Sequence, residues 1–368
     1  MSTTASNENL HRARATKDDE FYTQLSDIEA ELRHYKDHFK NKTVFLNCDD
    51  PYESNFFKYF AMNFNHLGLK KLIAVSYAGS KVAGGQLLFS EIAGIDEDDV
   101  SYKVEITEVP DLTEDGTTGL VDVEELLKRD ANTSVALKGD GDFRSPESVE
   151  LLEEADIVVT NPPFSLFREY IEQLFEHEKD FIIMGNKNAV TYKEVFPAIQ
   201  NNEVWIGYTT MNGGRWMIMP EGIEVESKTA KTNADGDTIV NVPGVCWFSN
   251  LDHGRLRKEI PLFRRYYDDP SQFPKYDNYD AIEVGRVADI PEDYDGAMGV
   301  PITFLGKHNP DQFEILDAND HRLPHFTKIK PHGLIKDADS SVNGKNKFAR
   351  IVIRNLKPNL PDKKESAQ

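Results

Sequence analysis

The sequence predicts an α/β fold with a mostly parallel sheet, followed by a β-rich region. An apolar, β-branched run at 157–160 is followed by a helical pattern at about 166–177 and a second apolar run at 181–184. This strand, helix, strand order is typical of a parallel sheet. Beyond about residue 215 the pattern changes to short strands separated by turn residues, which predicts the β-rich region.

The same patterns predict the remaining elements of the α/β part. Helices are predicted at 25–39, 54–67, 121–129, 166–177 and 192–199, and strands at 43–47, 70–77, 135–137 and 181–184. Residues 79–120 alternate in polarity, so they are predicted to form an antiparallel insertion or sheet edge.

Length and composition favour a soluble globular protein with more than one core. At 368 residues the chain is long for a single core, so a main domain with an appended region is expected. No run approaches the roughly 18 apolar residues that a membrane span needs, and the polar N-terminus is not a signal sequence, so a cytoplasmic location without membrane contact is expected. Cys48 and Cys246 are far apart and in no metal-ligand spacing, so we expect free thiols and no metal site.

Two prolines follow the run at 157–160, in the motif Asn161-Pro162-Pro163-Phe164. Proline cannot continue a ladder, so the chain leaves the sheet rigidly, and Ser165 is placed to cap the next helix. Ligands bind at the carboxyl ends of strands in such sheets. An exocyclic amine can donate to the Asn161 side chain and the Pro162 carbonyl while Phe164 stacks on its ring, and these fixed acceptors favour attack on an electrophilic methyl group. The alternative is a rigid turn that binds no ligand.

This motif and several surrounding blocks resemble the amino-methyltransferases that use S-adenosylmethionine, and more narrowly the EcoRI-type adenine-specific DNA methyltransferase family. The blocks that carry the resemblance are 19–25, 47–51 with 54–57, 141–145, 185–189 and 299–305. The resemblance implies a Rossmann-like class I methyltransferase fold and transfer of a methyl group from S-adenosylmethionine to N6 of an adenine flipped out of double-stranded DNA. It makes Asn161, Pro162, Pro163 and Phe164 the catalytic residues. It also implies a modification enzyme that is solitary or belongs to a restriction system, in which case a cognate restriction endonuclease is expected as a partner.

The turn after the first strand departs from the usual cofactor-binding pattern. Dinucleotide-binding folds place a glycine-rich turn here so that the backbone approaches the ligand, but 47–57 contains no glycine. The family that the chain resembles has the same substitution, so side-chain contacts to the cofactor are expected. Asp49 or Asp50 can accept from an ammonium group or from ribose hydroxyls, and Ser54 or Asn55 can cap the following helix. The alternative is a solvated turn.

Two further segments are assigned to the cofactor. Asp142 can accept from the exocyclic amine of an adenosyl group while Phe143 packs on its ring, and the resemblance gives both that role. By resemblance alone, Tyr22 and Thr23 contact the methionine part of the cofactor. The alternatives are a glycine-aspartate turn around Asp142 and an aromatic cover over the sheet edge at Tyr22.

The pattern change and the resemblance together divide the chain into four regions. Residues 1–18 are predicted to be a flexible arm, 19–215 the S-adenosylmethionine-binding catalytic domain, 216–357 a DNA target-recognition region, and 358–368 a tail. Loops beyond residue 215 contain Arg and Asn, which are the usual readers of guanine and adenine. The segment 185–188 is expected to form one wall of the target-base pocket.

The formal net charge of −21 opposes DNA binding, because nucleic-acid binders usually carry a basic footprint. The acidic residues are unevenly placed. Much of the acid lies in 91–154, whereas 255–258, 264–265, 328–330 and 345–357 are basic. The local electrostatic field at the interface matters more than the net charge of the chain. The negative net charge is therefore expected to weaken non-specific binding to DNA and not to exclude it.

Two other kinds of function stay open on the sequence. An Asn-Pro-Pro motif with an aromatic residue accepts any planar amine-bearing group, so RNA adenine or a protein glutamine amide is an alternative substrate. The absence of a glycine-rich turn is also compatible with a non-catalytic DNA-binding module that no longer binds the cofactor. The intact Asn161 motif favours an enzyme, and the large second region favours DNA.

Overall fold

The structure is a computed structural model, which describes residues 22–51, 54–77, 101–110, 122, 134–209, 213–219, 230–233, 236–277, 279–319, 341–347 and 349–361. The chain divides into two compact units. Unit 1 comprises Met1–Asn186 and Gly213–Leu251, and unit 2 comprises Lys187–Asn212 and Asp252–Gln368. The predicted arm at 1–18, the helix at 121–129 except for Asp122, and the basic segment at 328–330 lie outside the described residues.

The strands and helices are numbered in chain order. The strands are β1 (Tyr22–Thr23), β2 (Thr43–Leu46), β3 (Lys71–Val75), β4 (Tyr102–Ile106), β5 (Ser134–Ala136), β6 (Ile157–Thr160), β7 (Asp180–Asn186), β8 (Trp205–Ile206), β9 (Gly214–Ile218), β10 (Lys231–Thr232), β11 (Thr238–Pro243), β12 (Val245–Ser249), β13 (Ile282–Glu283), β14 (Met298–Pro301), β15 (Phe313–Asn319), β16 (Ser341–Val342), β17 (Lys345–Asn346) and β18 (Arg350–Asn355). The α-helices are α1 (Leu25–Leu32), α2 (Lys36–Phe39), α3 (Asn55–Met62), α4 (Phe64–Leu67), α5 (Pro146–Glu154), α6 (Phe167–Glu176) and α7 (Phe196–Gln200). Short 3₁₀ helices cover Lys187–Thr191, Pro270–Gln272, Val287–Asp289 and Ile302–Lys307.

The large sheet of unit 1 is mixed. Within the described part of this unit its strand order is β5-β4-β3-β2-β6-β7-β12. The four central strands β3, β2, β6 and β7 are parallel, whereas β4, β5 and β12 are antiparallel to their neighbours. The prediction of parallel strands is confirmed for the centre, whereas the sheet as a whole is mixed and also contains the unexpected antiparallel strand β12. Strand β4 confirms the predicted antiparallel edge for the part of 79–120 that is described.

Strands β2 and β6 are buried along their whole length, as their largely apolar, β-branched sequences predict. Helices pack closely on them. A Cβ atom on Gly185 of β7 would lie 2.4 Å from the ring of Phe167 at the start of α6, so only glycine permits this approach. Phe167 in turn packs on Phe248 of β12, with ring centroids 5.3 Å apart. Strand β12 is thus part of the same core.

A second sheet in unit 1 joins the N-terminal segment to residues after 213. Its strand order is β1-β9-β11-β10, and Tyr22 and Thr23 pair with Ile218 and Met217 of β9. Strands β9, β11 and β12 all lie in unit 1. The structural division therefore differs from the sequence boundary at 215/216, because local periodicity cannot show which sheet a short strand joins.

Two helix predictions were too long, and one capping prediction was wrong. The predicted helix 54–67 is divided into α3 and α4, and the predicted helix 25–39 into α1 and α2. Ser54 caps α3 as predicted, because its hydroxyl accepts from Phe56 N at 3.0 Å. Ser165 does not cap α6, which has Leu166 at its N-cap and no side-chain cap. Leu166 N instead donates to the Pro163 carbonyl at 3.0 Å, so a tight turn separates the motif from the helix.

Unit 2 is rich in strands, as predicted. Its main sheet has the order β13-β14-β18-β15, and β16 and β17 form a hairpin. Glu283 and Arg350 form a buried ion pair in this sheet at 2.7 Å, and Tyr276 donates its hydroxyl to Glu283. The predicted helix at 192–199 is replaced by the 3₁₀ helix Lys187–Thr191 and by α7. In the described part of the chain no helix has the length and apolar character needed to span a membrane.

Candidate active site

The Asn161 motif lies at the carboxyl end of a central parallel strand. Thr160 is the last residue of β6, and Asn161 follows it with a half-buried side chain whose Oδ1 atom is shielded from solvent. Pro162 is buried and Pro163 is half-buried. No described residue donates a hydrogen bond to the Pro162 carbonyl, whereas the Pro163 carbonyl belongs to the turn before α6. The amide oxygen and the Pro162 carbonyl are thus the acceptors that the turn presents.

Phe164 is part of the core of unit 1. Only 5% of its surface is exposed, and it belongs to the apolar cluster that includes Met184, Trp247 and Phe56. The sequence predicted that this ring stacks on the target base. Its role in packing means that replacement of Phe164 would also create a cavity, which typically costs about 3–5 kcal/mol of stability.

The glycine-free turn after β2 is held by a network of buried side chains. Asp49 is 5% exposed, and its Oδ1 accepts from Ser54 Oγ at 2.7 Å while its Oδ2 accepts from Thr160 Oγ1 at 2.5 Å. Burial raises the pKa of the Asp49 carboxyl to about 7, and the two hydroxyl hydrogen bonds oppose that shift. Each carboxylate oxygen can accept more than one hydrogen bond, so burial of Asp49, and not these two bonds, limits its direct contact with a cofactor.

Two further residues of this turn, Asn47 and Asp50, form hydrogen bonds to other elements. Asp50 accepts from the Tyr102 hydroxyl of β4 at 2.9 and 2.8 Å. Asn47 accepts from the Tyr170 hydroxyl of α6 through its Oδ1. Side-chain bonds to β4, β6, α3 and α6 therefore fix this turn, where related folds use glycine to bring the backbone close to a ligand.

Two buried amide atoms near this turn are left without protein partners. Asn47 is 2% exposed, and its Nδ2 donates to none of the described residues. Gln173 donates its Nε2 to the Phe143 carbonyl at 3.0 Å, but its Oε1 is buried and accepts from none of them. Buried polar groups without partners are rare and costly in native proteins. A donor and an acceptor next to an aromatic pair, Phe143 and Tyr170 with centroids 5.1 Å apart, fit a planar polar ring such as adenine.

The sequence analysis missed Asn47 and Gln173. Asn47 ends an apolar strand run, and that position alone could have suggested a buried amide. Gln173 lies on the buried face of α6, three residues after Tyr170, and only the fold reveals its contact with Phe143.

Asp142 is engaged by an arginine. Its carboxylate accepts from Arg144 Nε at 2.8 Å and from Arg144 Nη2 at 2.7 Å, and Arg144 also contacts Glu169 of α6 at 2.8 Å. These hydrogen bonds hold the pKa of Asp142 below its ordinary value. The side chain keeps some exposure, so it stays ionised and able to accept a further hydrogen bond. Phe143 is buried.

Tyr22 and Thr23 lie near the start of α3. The Thr23 carbonyl accepts from Asn55 Nδ2 at 2.9 Å, and its hydroxyl lies 3.0 Å from Met184 Sδ in β7. Thr23 is buried and Tyr22 is half-buried. Contacts thus connect the predicted cofactor residues through Asn55, Ser54 and Asp49 to the Asn161 strand. Among the described residues, no cluster of His, Cys, Asp and Glu could hold a metal ion.

Comparisons with known proteins identify the family of the chain. The family model of the adenine-specific methyltransferase EcoRI matches residues 9–356. The chain belongs to this family. It is 45% identical to the Type II methyltransferase M.EcoRI of Escherichia coli over 96% of the chain and 98% of that protein. It is 34% identical to M.MgeORF184P of Mycoplasma genitalium and 33% identical to M.MpnI of Mycoplasma pneumoniae, each over 94% of the chain and at least 97% of the relative.

As a member of the EcoRI-type methyltransferases, the chain is a site-specific, adenine-specific DNA methyltransferase. The family assignment confirms the resemblance found in the sequence blocks and implies a methyl donor. No solved structure matches the chain significantly. The description of the architecture as mixed α/β therefore rests on the strand order of this structure.

Proposed function

We propose that this chain transfers the methyl group of S-adenosylmethionine to N6 of an adenine that is flipped out of duplex DNA. The observation that carries this proposal is the Asn161 turn at the carboxyl end of β6, which presents two fixed acceptors. A base inside a duplex cannot reach such a buried edge, so the adenine has to leave the stack at a cost of a few kcal/mol. The four parallel central strands support a Rossmann-like class I arrangement around this edge.

The residues of the motif would act by orientation and electrostatics. When bound, S-adenosylmethionine would supply an electrophilic methyl group on a sulfonium, and as the C–N bond formed the C–S bond would break and leave the neutral thioether S-adenosylhomocysteine. Asn161 Oδ1 and the Pro162 carbonyl would accept the two N6 hydrogens, which directs the nitrogen electron pair at the methyl carbon and stabilises the positive charge that develops on nitrogen. One of the two hydrogens then leaves as a proton to solvent. Phe164 would border the base, and Pro162 and Pro163 would keep both acceptors in place.

The cofactor residues fit the donor in different ways. Phe143 and Asp142 would face the adenosyl group, and we add Asn47 and Gln173, whose buried amide atoms would gain partners on binding. Contacts with the ribose and methionine parts of S-adenosylmethionine stay predictions for Asp50, Ser54, Tyr22 and Thr23. Asp49 is only 5% exposed and bridges Ser54 and Thr160, so it is better suited to an indirect role.

Unit 2 is the better candidate for target recognition. Its numbers of Lys and Arg equal its numbers of Asp and Glu, so it does not repel phosphate as unit 1 does. This assignment moves the proposed recognition region from 216–357 to 187–212 and the chain after 252. A partner nuclease of a restriction system stays an expectation.

The decisive experiment is methylation-aware sequencing of plasmid DNA from cells that express the wild-type chain or Asn161→Ala. We expect N6-methyladenine at one short motif in the wild type and none in the variant, because the substitution removes an acceptor at the reacting amine. Calorimetric titration with S-adenosylmethionine is the control, and both proteins are expected to bind it equally.

Other outcomes would point elsewhere. Methylation of DNA by Asn161→Ala would overturn the role of Asn161. Cofactor binding by the wild type without DNA methylation would favour RNA or protein acceptors. Absence of both would favour a DNA-binding module without catalysis.

A further inference from the structure

The backbone ladder between β2 and β6 ends before the motif begins. These strands pair through Val44 with Ile157 and Phe45 with Val158. Thr160 lies two residues beyond the last of these pairs. On its other side Thr160 still pairs with Ile183 of β7, so only the side towards β2 has lost its main-chain pairing.

A side-chain bridge takes the place of the ladder there. Thr160 Oγ1 donates its only hydrogen to Asp49 Oδ2 at 2.5 Å, although 111 residues separate the two in sequence. Ser54 Oγ donates to the other carboxylate oxygen at 2.7 Å and accepts from the N-terminus of α3. All three side chains are at least 95% buried. The bridge therefore connects the N-terminus of a helix to the strand residue that precedes Asn161.

We propose that Asp49 is a positioning residue for methyl transfer: through Thr160 it fixes the direction in which β6 presents the Asn161 amide. This inference rests on the proposed function of Asn161. It gives the glycine-free turn a role besides cofactor binding, because the same turn holds the catalytic strand end. A small displacement of an acceptor at a reacting amine lowers the rate strongly while binding elsewhere is kept.

Thr160 is the best residue to substitute, because the bridge can be removed there with little change in side-chain shape. Thr160→Val keeps the volume and the β-branched shape of the side chain but removes the hydroxyl donor, whereas Thr160→Ser keeps the donor. Thr43→Val is the matched control, since Thr43 is an equally buried threonine at the opposite, amino end of the neighbouring strand β2.

The experiment measures single-turnover methyl transfer from tritiated S-adenosylmethionine to unmethylated plasmid DNA, with calorimetric binding of S-adenosylmethionine in parallel. For Thr160→Val we expect the rate constant to fall about 10- to 100-fold. Its dissociation constant for S-adenosylmethionine is expected to stay within about twofold, because Asp49 is not assigned a contact with the cofactor. Thr160→Ser is expected to recover most of the rate, and Thr43→Val to match the wild type.

Several results would overturn the inference. These are a wild-type rate in Thr160→Val, an equal loss in Thr43→Val, no recovery in Thr160→Ser, or a loss of cofactor affinity that accounts for the lower rate. If circular dichroism shows that Thr160→Val is unfolded, Thr160→Ala replaces it, since it also removes the hydroxyl donor but leaves a smaller side chain, and the same loss of rate is expected. An inactive wild type that binds S-adenosylmethionine would instead refute the proposed function itself.

Discussion

The two units carry charge in opposite ways. Unit 2 contains 21 Lys and Arg and 21 Asp and Glu, whereas unit 1 contains 21 and 42. The entire formal net charge of −21 therefore belongs to the unit that contains the Asn161 motif. If unit 2 contacts the DNA, as proposed, the net charge of the whole chain is a poor guide to DNA binding, because an acidic unit would perform the chemistry while a neutral one approaches the phosphates.

The units also stabilise buried carboxylates differently. In unit 2, Glu283 is 8% exposed and is paired with the guanidinium of Arg350. In unit 1, the donors to Asp49 among the described residues are the neutral hydroxyl groups of Ser54 and Thr160. A charged partner compensates a buried carboxylate much better than a hydroxyl does, so Glu283 depends on Arg350, whereas burial raises the pKa of Asp49.

The largest expected effect is on the ion pair of unit 2. Arg350→Met should lower the free energy of unfolding by about 3–5 kcal/mol, because it leaves the Glu283 charge buried and uncompensated. Urea unfolding measures the change. Arg354→Met is the control on the same strand, since its pair with Glu314 is 3.5 Å long and exposed, and less than about 1 kcal/mol is expected. The double variant Arg350→Met, Glu283→Gln should recover part of the loss, and failure to do so would contradict the role of the charge.

The contribution of Asp49 to stability should depend on pH. The folded pKa of Asp49, about 7, lies above its unfolded value, so the folded state binds the proton more tightly between about pH 4 and 7. The contribution of Asp49 to stability is therefore present below pH 4 and lost as the pH rises through 7, by up to about 4 kcal/mol. Relative to the wild type, Asp49→Asn should gain stability over this window in urea unfolding at pH 4.5 and pH 8. A difference that does not change with pH would show that Asp49 does not titrate there.

The smallest expected effect concerns salt. If unit 2 contacts phosphates, replacing the exposed Arg257 and Lys258 by Gln should reduce the slope of log affinity against log salt concentration by up to about 1.8. The matched double variant in unit 1 replaces the exposed Lys36 and Lys40 by Gln and should leave the slope unchanged. Filter binding of plasmid fragments at several salt concentrations measures both slopes. An effect of the unit 1 pair alone would reverse the assignment of the two units.

Local sequence was sufficient to predict the centre of the α/β sheet and the position of the motif. Buried parallel strands such as β2 and β6 read as unbroken apolar runs, and a double proline marks a strand end unambiguously. Ser54 was recognised as a cap because capping depends on residues that are adjacent in sequence. These features need no knowledge of distant contacts.

The features that the sequence did not reveal depend on distant partners. The bond between Thr160 and Asp49 spans 111 residues, and nothing near either residue predicts it. Strand β12 has the same local pattern as the strands of unit 2, yet it pairs with β7. The buried amide of Gln173 can be assigned to the site only because the fold brings it to the Phe143 carbonyl. Residues that position a site are harder to predict than the motif, because their partners are close in space but distant in sequence.

The discontinuity of unit 1 has a consequence for biosynthesis. Strand β7 is complete at Asn186, but its neighbour β12 ends at Ser249, and β1 at the start of the chain pairs with β9 at Gly214–Ile218. At about 5–20 residues per second, a ribosome needs roughly 3–13 s more to add the missing strands. During that interval β7 lacks its neighbour β12 and β1 lacks its neighbour β9, so these strand edges are unpaired in the nascent chain. We therefore expect unit 1 to complete its fold only after β12 has been synthesised.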